Sequence, residues 1–151
     1  MNEALPTSSV RVKKTGMNYW LLKSEPDVYS IDQLERDGKT SWNGVRNFQA
    51  RNVLKTCKKD DLVLIYHSNI GKAVVGIGKI VKEAYPDIDE KRKGDWVQVD
   101  VAFVTKFKTA VTLESIKQDP NLQNLPLLKQ SRLSCMPVPE TEFKIIRKLG
   151  E

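Results

Sequence analysis

The chain has 151 residues, of which 40% are hydrophobic and 29% charged, and a formal net charge of +6. That length fits one domain, the composition excludes a fibrous or disordered class, and the longest apolar runs, such as LVLIY at 62–66, fall far short of the roughly 20 residues that cross a bilayer. Two cysteines and one histidine cannot furnish a four-ligand Cys/His zinc site, whereas the positive balance favours an anionic partner, nucleic acid before others.

Residues 1–16, MNEALPTSSVRVKKTG, carry a late basic cluster and no apolar h-region of a secretory signal, and are expected to form a flexible tail. Met17 stands directly before the first strand pattern, so the folded domain is expected to span 17–151. Without the tail, which holds Arg11, Lys13, Lys14 and Glu3, the net charge is still +4. The widely spaced Cys57 and Cys135 have no CxxC context and read as buried thiols of a reducing, intracellular compartment.

NYWLLKS at 18–24 reads as a strand that Pro26 stops, leaving Ser24 and Glu25 at its mouth. Strand alternation sends Lys23 and Ser24 to opposite faces, which argues against a Ser-Lys nucleophilic pair. SIDQLERDG at 30–38 has the capping-box arrangement, Ser30 with Gln33 three residues on, and a closing glycine, Gly38. It is a helix.

TSWNGVRNFQARN at 40–52 combines aromatics, arginines and amides with little aliphatic filling, the composition of a site rather than a core segment. Its second half, FQARNVLKTC at 48–57, reads as a helix with Phe48, Val53, Leu54 and Cys57 on one face. DLVLIYH, KAVVGIGKIV and DWVQVDVAFV alternate as strands. Gly76 and Gly78 mark curvature inside one of them. GIGK at 76–79 is no phosphate-binding loop, because the strand pattern continues through it where such a loop enters a helix. His67, at a strand end beside Ser68, has no orienting acid in view and reads as a hydrogen-bonding group rather than a base.

TLESIKQDP and NLQNLPLLKQS read as short helices broken by Pro120 and Pro126, and PETEFKIIRKLG as a closing helix with Phe143, Ile146 and Leu149 on its apolar face. Strands with short helices between them, in no regular alternation, give an α+β class: a small, curved sheet or barrel with peripheral helices.

Across these elements Trp42 offers a flat apolar face. Ser24, Asn43, Asn47 and Ser68 supply neutral donors and acceptors, and Lys23, Arg46, Arg51 and Arg132 supply phosphate-compatible charge. Together they are what a pocket for an extruded base needs. No metal or cofactor site is expected.

The blocks YWLLKSEPDVYSIDQL, WNGVRNFQARNVL, LVLIYHSN, VGIGKIVKEAYPD, WVQVDVAFV, RLS at 132–134 and PVPETEF, in that order and spacing, resemble the signature blocks of the EVE domain family from Met17 to Leu149. The resemblance implies a PUA-like curved β pseudo-barrel with peripheral short helices, related to YTH domains. It also implies a reader of modified bases, with modified cytosine in DNA the favoured ligand. By it, Trp42 becomes a cage wall, Lys23 lies near phosphate, and Ser24 and Glu25 meet the base edge with Arg46, Asn47 and Ser68 nearby.

Two departures from the family pattern stand out. Only IDEKRKGD separates Asp87 from Trp96 where many members are longer, so that Tyr85 or Trp96 is expected to stand in for a second wall. Asn43 also occupies a place where many relatives carry Asp. The partner expected is nucleic acid with a modified base, DNA or RNA, bound by a monomer away from membranes, with any effector acting in trans. The competing reading is a small hydrolase of a modified nucleobase or nucleoside, drawn from Lys23 and Glu25 sharing a strand face.

Overall fold

The computed structural model describes residues 17–88 and 94–151; the expected tail at 1–16 and the centre of the short 88–95 segment lie outside them. Six strands form one mixed sheet in the order β2-β5-β4-β3-β1-β6. The strands are β1 (Tyr19–Ser24), β2 (Lys39–Trp42), β3 (Leu62–His67), β4 (Ala73–Pro86), β5 (Val97–Thr112) and β6 (Cys135–Val138). Around the sheet lie α1 (Ile31–Asp37), α2 (Phe48–Thr56), α3 (Leu113–Gln118), a 3-10 turn (Pro120–Leu122), α4 (Pro126–Lys129) and α5 (Glu140–Gly150). This is the expected α+β architecture, with an open sheet: β2 and β6 are its edges.

β1 and β3 pair in parallel, from Tyr19 opposite Leu62 to Ser24 opposite His67, and every other pairing is antiparallel. Both strands are buried through their middles, Leu21, Leu22, Val63 and Leu64 being fully covered, because helices and loops pack on both faces. α5 lies against β5 and β4, and α2 against β5, β6 and β4. The register of β4 slips at Gly76 and Gly78. A Cβ would come within 2.5 Å of the Thr105 carbonyl at the first and 2.6 Å of Val101 at the second. The two glycines are therefore places of close approach in a bent strand.

Two strands escape the sequence pattern. β2 is short and polar, and β6 contains Pro137, which a ladder tolerates only at an edge, where β6 lies. Phe48 corrects an expectation: it opens α2, is 64% exposed, and leaves the core positions to Ala50 and Leu54. Leu149 likewise is 47% exposed, while Phe143 and Ile146 are buried as expected. Cys57 and Cys135 are buried free thiols, and burial followed by the neighbouring Cys57 pushes the Cys135 thiol well above its ordinary range.

One buried carboxylate joins the start of β1 to the start of β3. Asp61, 3% exposed, accepts from the Trp20 indole at 2.8 Å, the Lys58 amide at 2.9 Å and the Asn18 amide at 3.2 Å. Asp61→Ala leaves these donors dry, and a loss of about 3 kcal/mol in urea unfolding is expected, with Asp61→Asn losing less.

At the other end of β3, His67 Nε2 accepts from the Ile31 amide at 3.1 Å, satisfying a donor at the N-terminus of α1. Burial holds the imidazole below its ordinary 6.5, against the pull of Asp32. A depressed folded-state value means that the unfolded chain binds the proton more readily, so this stability is complete above pH 6.5 and is lost as the pH falls below it. In urea titrations at a series of pH values, His67→Gln, which keeps an acceptor, is expected to remove that part of the acid sensitivity.

Candidate functional site

The parallel pairing brings the C-terminal ends of β1 and β3 to one edge of the fold. There the backbone turns sharply: the Glu25 carbonyl accepts from the Val28 and Tyr29 amides, and the Ser68 amide donates to the Ser24 carbonyl. Two hollows open beside this edge. The first, about 480 Å3, is walled by Trp42, Tyr29, Ser24, Glu25, Asn43 and Lys23, with Thr40, Ser41, Val28 and Gly44 completing it. The second, about 460 Å3, shares Lys23 and Glu25 with the first and adds Ser68 among its walls.

Trp42, at the end of β2, is only 9% exposed and is met edge-on by Tyr29, with ring centroids 6.5 Å apart and planes at 87°. Tyr29 is thus the second aromatic of the first hollow. Its position in the turn after Pro26 is set by its amide bond to the Glu25 carbonyl, by its hydroxyl donating to Asp37 at 2.7 Å and by its carbonyl accepting the Ser24 hydroxyl at 2.6 Å. Sequence reasoning missed it because nothing local distinguishes a tyrosine in a turn; the available signal was its place within the YWLLKSEPDVYSIDQL block.

The stretch after Trp42 is held by a second residue without an assigned role in the sequence, Asp87. Its carboxylate accepts from the Gly44 amide and the Arg46 guanidinium, both at 2.9 Å. The Arg46 bond, assisted by the Gly44 amide, keeps this carboxyl below the usual carboxylate range. Gly44 has φ +82°, a conformation that favours glycine, so the turn and its anchor are built together. Arg46 is therefore an internal strut, with side-chain exposure of 13%. Asn47 is likewise occupied: its side chain caps α2 by accepting from the Ala50 amide at 2.9 Å.

Tyr85 stands one step behind the first hollow. Its hydroxyl donates to Asp100 at 2.5 Å, which raises its pKa, and lies 3.1 Å from the hydroxyl of Ser41, which does line the hollow. Trp96 is elsewhere. It stacks on Phe48 with centroids 5.2 Å apart and planes at 20°, and the guanidiniums of Arg46 and Arg51 lie over it at 5.5 and 5.8 Å. Arg51 thus belongs to this separate aromatic and cationic cluster on α2. Arg132, exposed in the turn before β6, neighbours Ser131, whose carbonyl accepts the Lys23 ammonium at 2.7 Å.

Among the described residues Lys23 is the one cation in the wall of the first hollow, balanced in number by Glu25. Desolvation, with Lys72 next, lowers its pKa from the ordinary 10.5. Ser24 and His67 are each engaged with backbone, and not with each other. Among the described residues no group of His, Cys, Asp and Glu is placed to hold a metal, and no helix is long and apolar enough to cross a membrane.

Against known proteins, the EVE domain model matches residues 18–149. Thymocyte nuclear protein 1 of Mus musculus is 38% identical over 89% of this chain and 74% of its own length. The crystal structure of human THYN1 protein in complex with 5-methylcytosine-containing DNA superposes with a TM-score of 0.82 at 35% identity, covering 89% of this chain and 98% of that one. A YTH domain, that of Zygosaccharomyces rouxii MRB1 protein in complex with N6-methyladenosine RNA, has a TM-score of 0.57 at 17% identity, with 95% and 92% of the two chains covered, and shares the fold. With its six-stranded sheet, its paired hollows and a match along nearly the whole described chain, this protein belongs to the EVE domain family.

Proposed function

We propose that this protein is a nucleic-acid-binding reader that takes one modified base, a modified cytosine in DNA, into the first hollow. The observation that carries the reading is the hollow itself: two aromatic side chains set at right angles, hydroxyl and amide groups around them, and ionisable walls with no net charge. A planar, uncharged heterocycle suits such walls. The likeness to human THYN1, solved with 5-methylcytosine DNA, supports the choice of cytosine.

In this reading Trp42 supplies the stacking plane and Tyr29 the edge that limits how far the base slides. The Glu25 carboxylate accepts from an exocyclic amine, as carboxylates do from the N4 amine of cytosine. Ser24, Ser41 and Asn43 complete the base edge, and Tyr85 orients the Ser41 hydroxyl from behind. Lys23 meets phosphate at the mouth, and Arg132 and Arg51 meet the strand farther out. The protein acts as a monomer inside the cell, and any effector acts in trans.

Trp42 belongs to the buried core, so its removal must preserve bulk. Trp42→Leu keeps an apolar filling but not the plane, and base stacking is worth about 1–3 kcal/mol. Fluorescence anisotropy with oligonucleotides carrying cytosine or 5-methylcytosine should show preference in the wild type and its loss in a folded Trp42→Leu. Full preference in that variant would sink the reading. Lys23→Ala should weaken plain and modified oligonucleotides alike and make the salt dependence shallower by about one unit of slope. An unchanged slope would remove Lys23 from the phosphate contacts.

A further inference from the structure

The second hollow differs from the first in charge. Among the described residues its charged walls are Lys23, Lys72 and Glu25, a net of +1, where those of the first are Lys23 and Glu25. Ser68, Asn69 and Tyr66 supply further polar groups, and Leu113 and Leu127 back it. One hollow is electrically suited to a neutral ring. The other is suited to a monoanion.

Three details sharpen the contrast. The Lys23 ammonium spends one donor on the Ser131 carbonyl, and an ammonium has three. Burial first, and then the like charge of Lys72, lower the pKa of Lys23. Tyr66 is 3% exposed beneath the Lys23 ammonium, which lies 5.8 Å from its ring centroid. Burial alone raises that phenol, with no hydrogen bond or charge contributing. A pair of cations with spare donors, beside a phenol that lines the same hollow and has no hydrogen bond of its own, is an arrangement that suits an oxyanion.

Resting on the reading of the first hollow as a base site, we propose that the second hollow is a phosphate subsite. It takes the backbone phosphodiester adjoining the read nucleotide, between the ammoniums of Lys23 and Lys72, with the hydroxyls of Tyr66 and Ser68 as neutral donors. Lys23 and Glu25 form the partition: the ammonium turns to the phosphate and the carboxylate to the base edge. Recognition then covers a base together with one defined linkage, which fixes the polarity of the strand crossing the site.

The test uses oligonucleotides with one 5-methylcytosine and a neutral methylphosphonate replacing the diester on its 5′ or its 3′ side. In the wild type, one of the two replacements should weaken binding about tenfold, the scale of a hydrogen bond to a charged group. Lys72→Ala, an exposed position outside the first hollow, should bind the native oligonucleotide about tenfold more weakly. It should lose nothing further on that same replacement, and should keep its preference for 5-methylcytosine over cytosine. Preference kept with neither replacement mattering, or losses that simply multiply, would overturn the subsite and leave the base reading standing. A second arm titrates inorganic phosphate and follows the amide resonances of Ser68, Asn69 and Lys72. Shifts in the wild type that vanish in Lys72→Ala are expected. No shift overturns the anion site, and shifts in a protein that binds none of the oligonucleotides overturn the phosphodiester as occupant together with the base reading.

Discussion

The parallel pairing of β1 with β3 is the constraint from which the rest of the structure follows. In a sheet otherwise antiparallel, it sends two strands out at the same edge, so that Ser24 lies opposite His67 and the chain leaves both strands side by side. Parallel neighbours need a long crossover, and here that crossover comprises α1, β2 and α2. It carries Tyr29 and Trp42 to the mouth that the pairing creates. Most walls of the first hollow, and Lys23, Glu25, Tyr66 and Ser68 of the second, come from this one topological choice. Asp61 secures the beginning of the pair, and His67, bonded to the first turn of α1, secures its end.

Within that frame a division of labour separates side chains that touch the hollows from those that hold them. Trp42, Tyr29, Asn43 and Glu25 face the first hollow. Arg46 and Asp87 stand behind it, tying the glycine turn at Gly44 to the end of β4, and Asn47 ties the same loop to α2. Rigid support of this kind lets a shallow site hold a ring in one orientation, because the supporting bonds are made before a ligand arrives. The charges are divided too. Lys23 lines both a neutral hollow and a positive one, and its partial burial between them lowers its pKa.

Much of the fold was legible. The capping box at Ser30 and Gln33, the alternation of β3 and β4, the bends at Gly76 and Gly78 and the closing helix all follow from local rules, and all are present. Where local rules fell short, the cause was tertiary. β2 and β6 are strands because they have neighbours to pair with, and Pro137 is accepted because its strand is an edge. Phe48 reads as a core residue on a helical wheel, yet it is exposed and its ring stacks on Trp96 instead. At the site, Trp42, Ser24, Glu25, Asn43 and Lys23 converge on one hollow. Arg46 and Asn47, chemically just as suitable, are occupied in structural bonds, and Tyr29 enters from a turn that no local pattern marks.

By itself, then, the sequence determined the class of fold, the positions of its helices, the basic balance and two stretches, 23–25 and 40–43, that supply walls of the first hollow. These depend on periodicity, caps and composition, which are written within a few residues of one another. Only the tertiary structure decided which of those side chains face a ligand and which brace the loop, that Tyr29 rather than Tyr85 or Trp96 stands against Trp42, and that Lys23 and Lys72 meet across a second hollow. Such pairings join residues dozens of positions apart. A side chain's role there is set by the competition among distant partners for its donors, acceptors and faces, which exists only once the strands have paired.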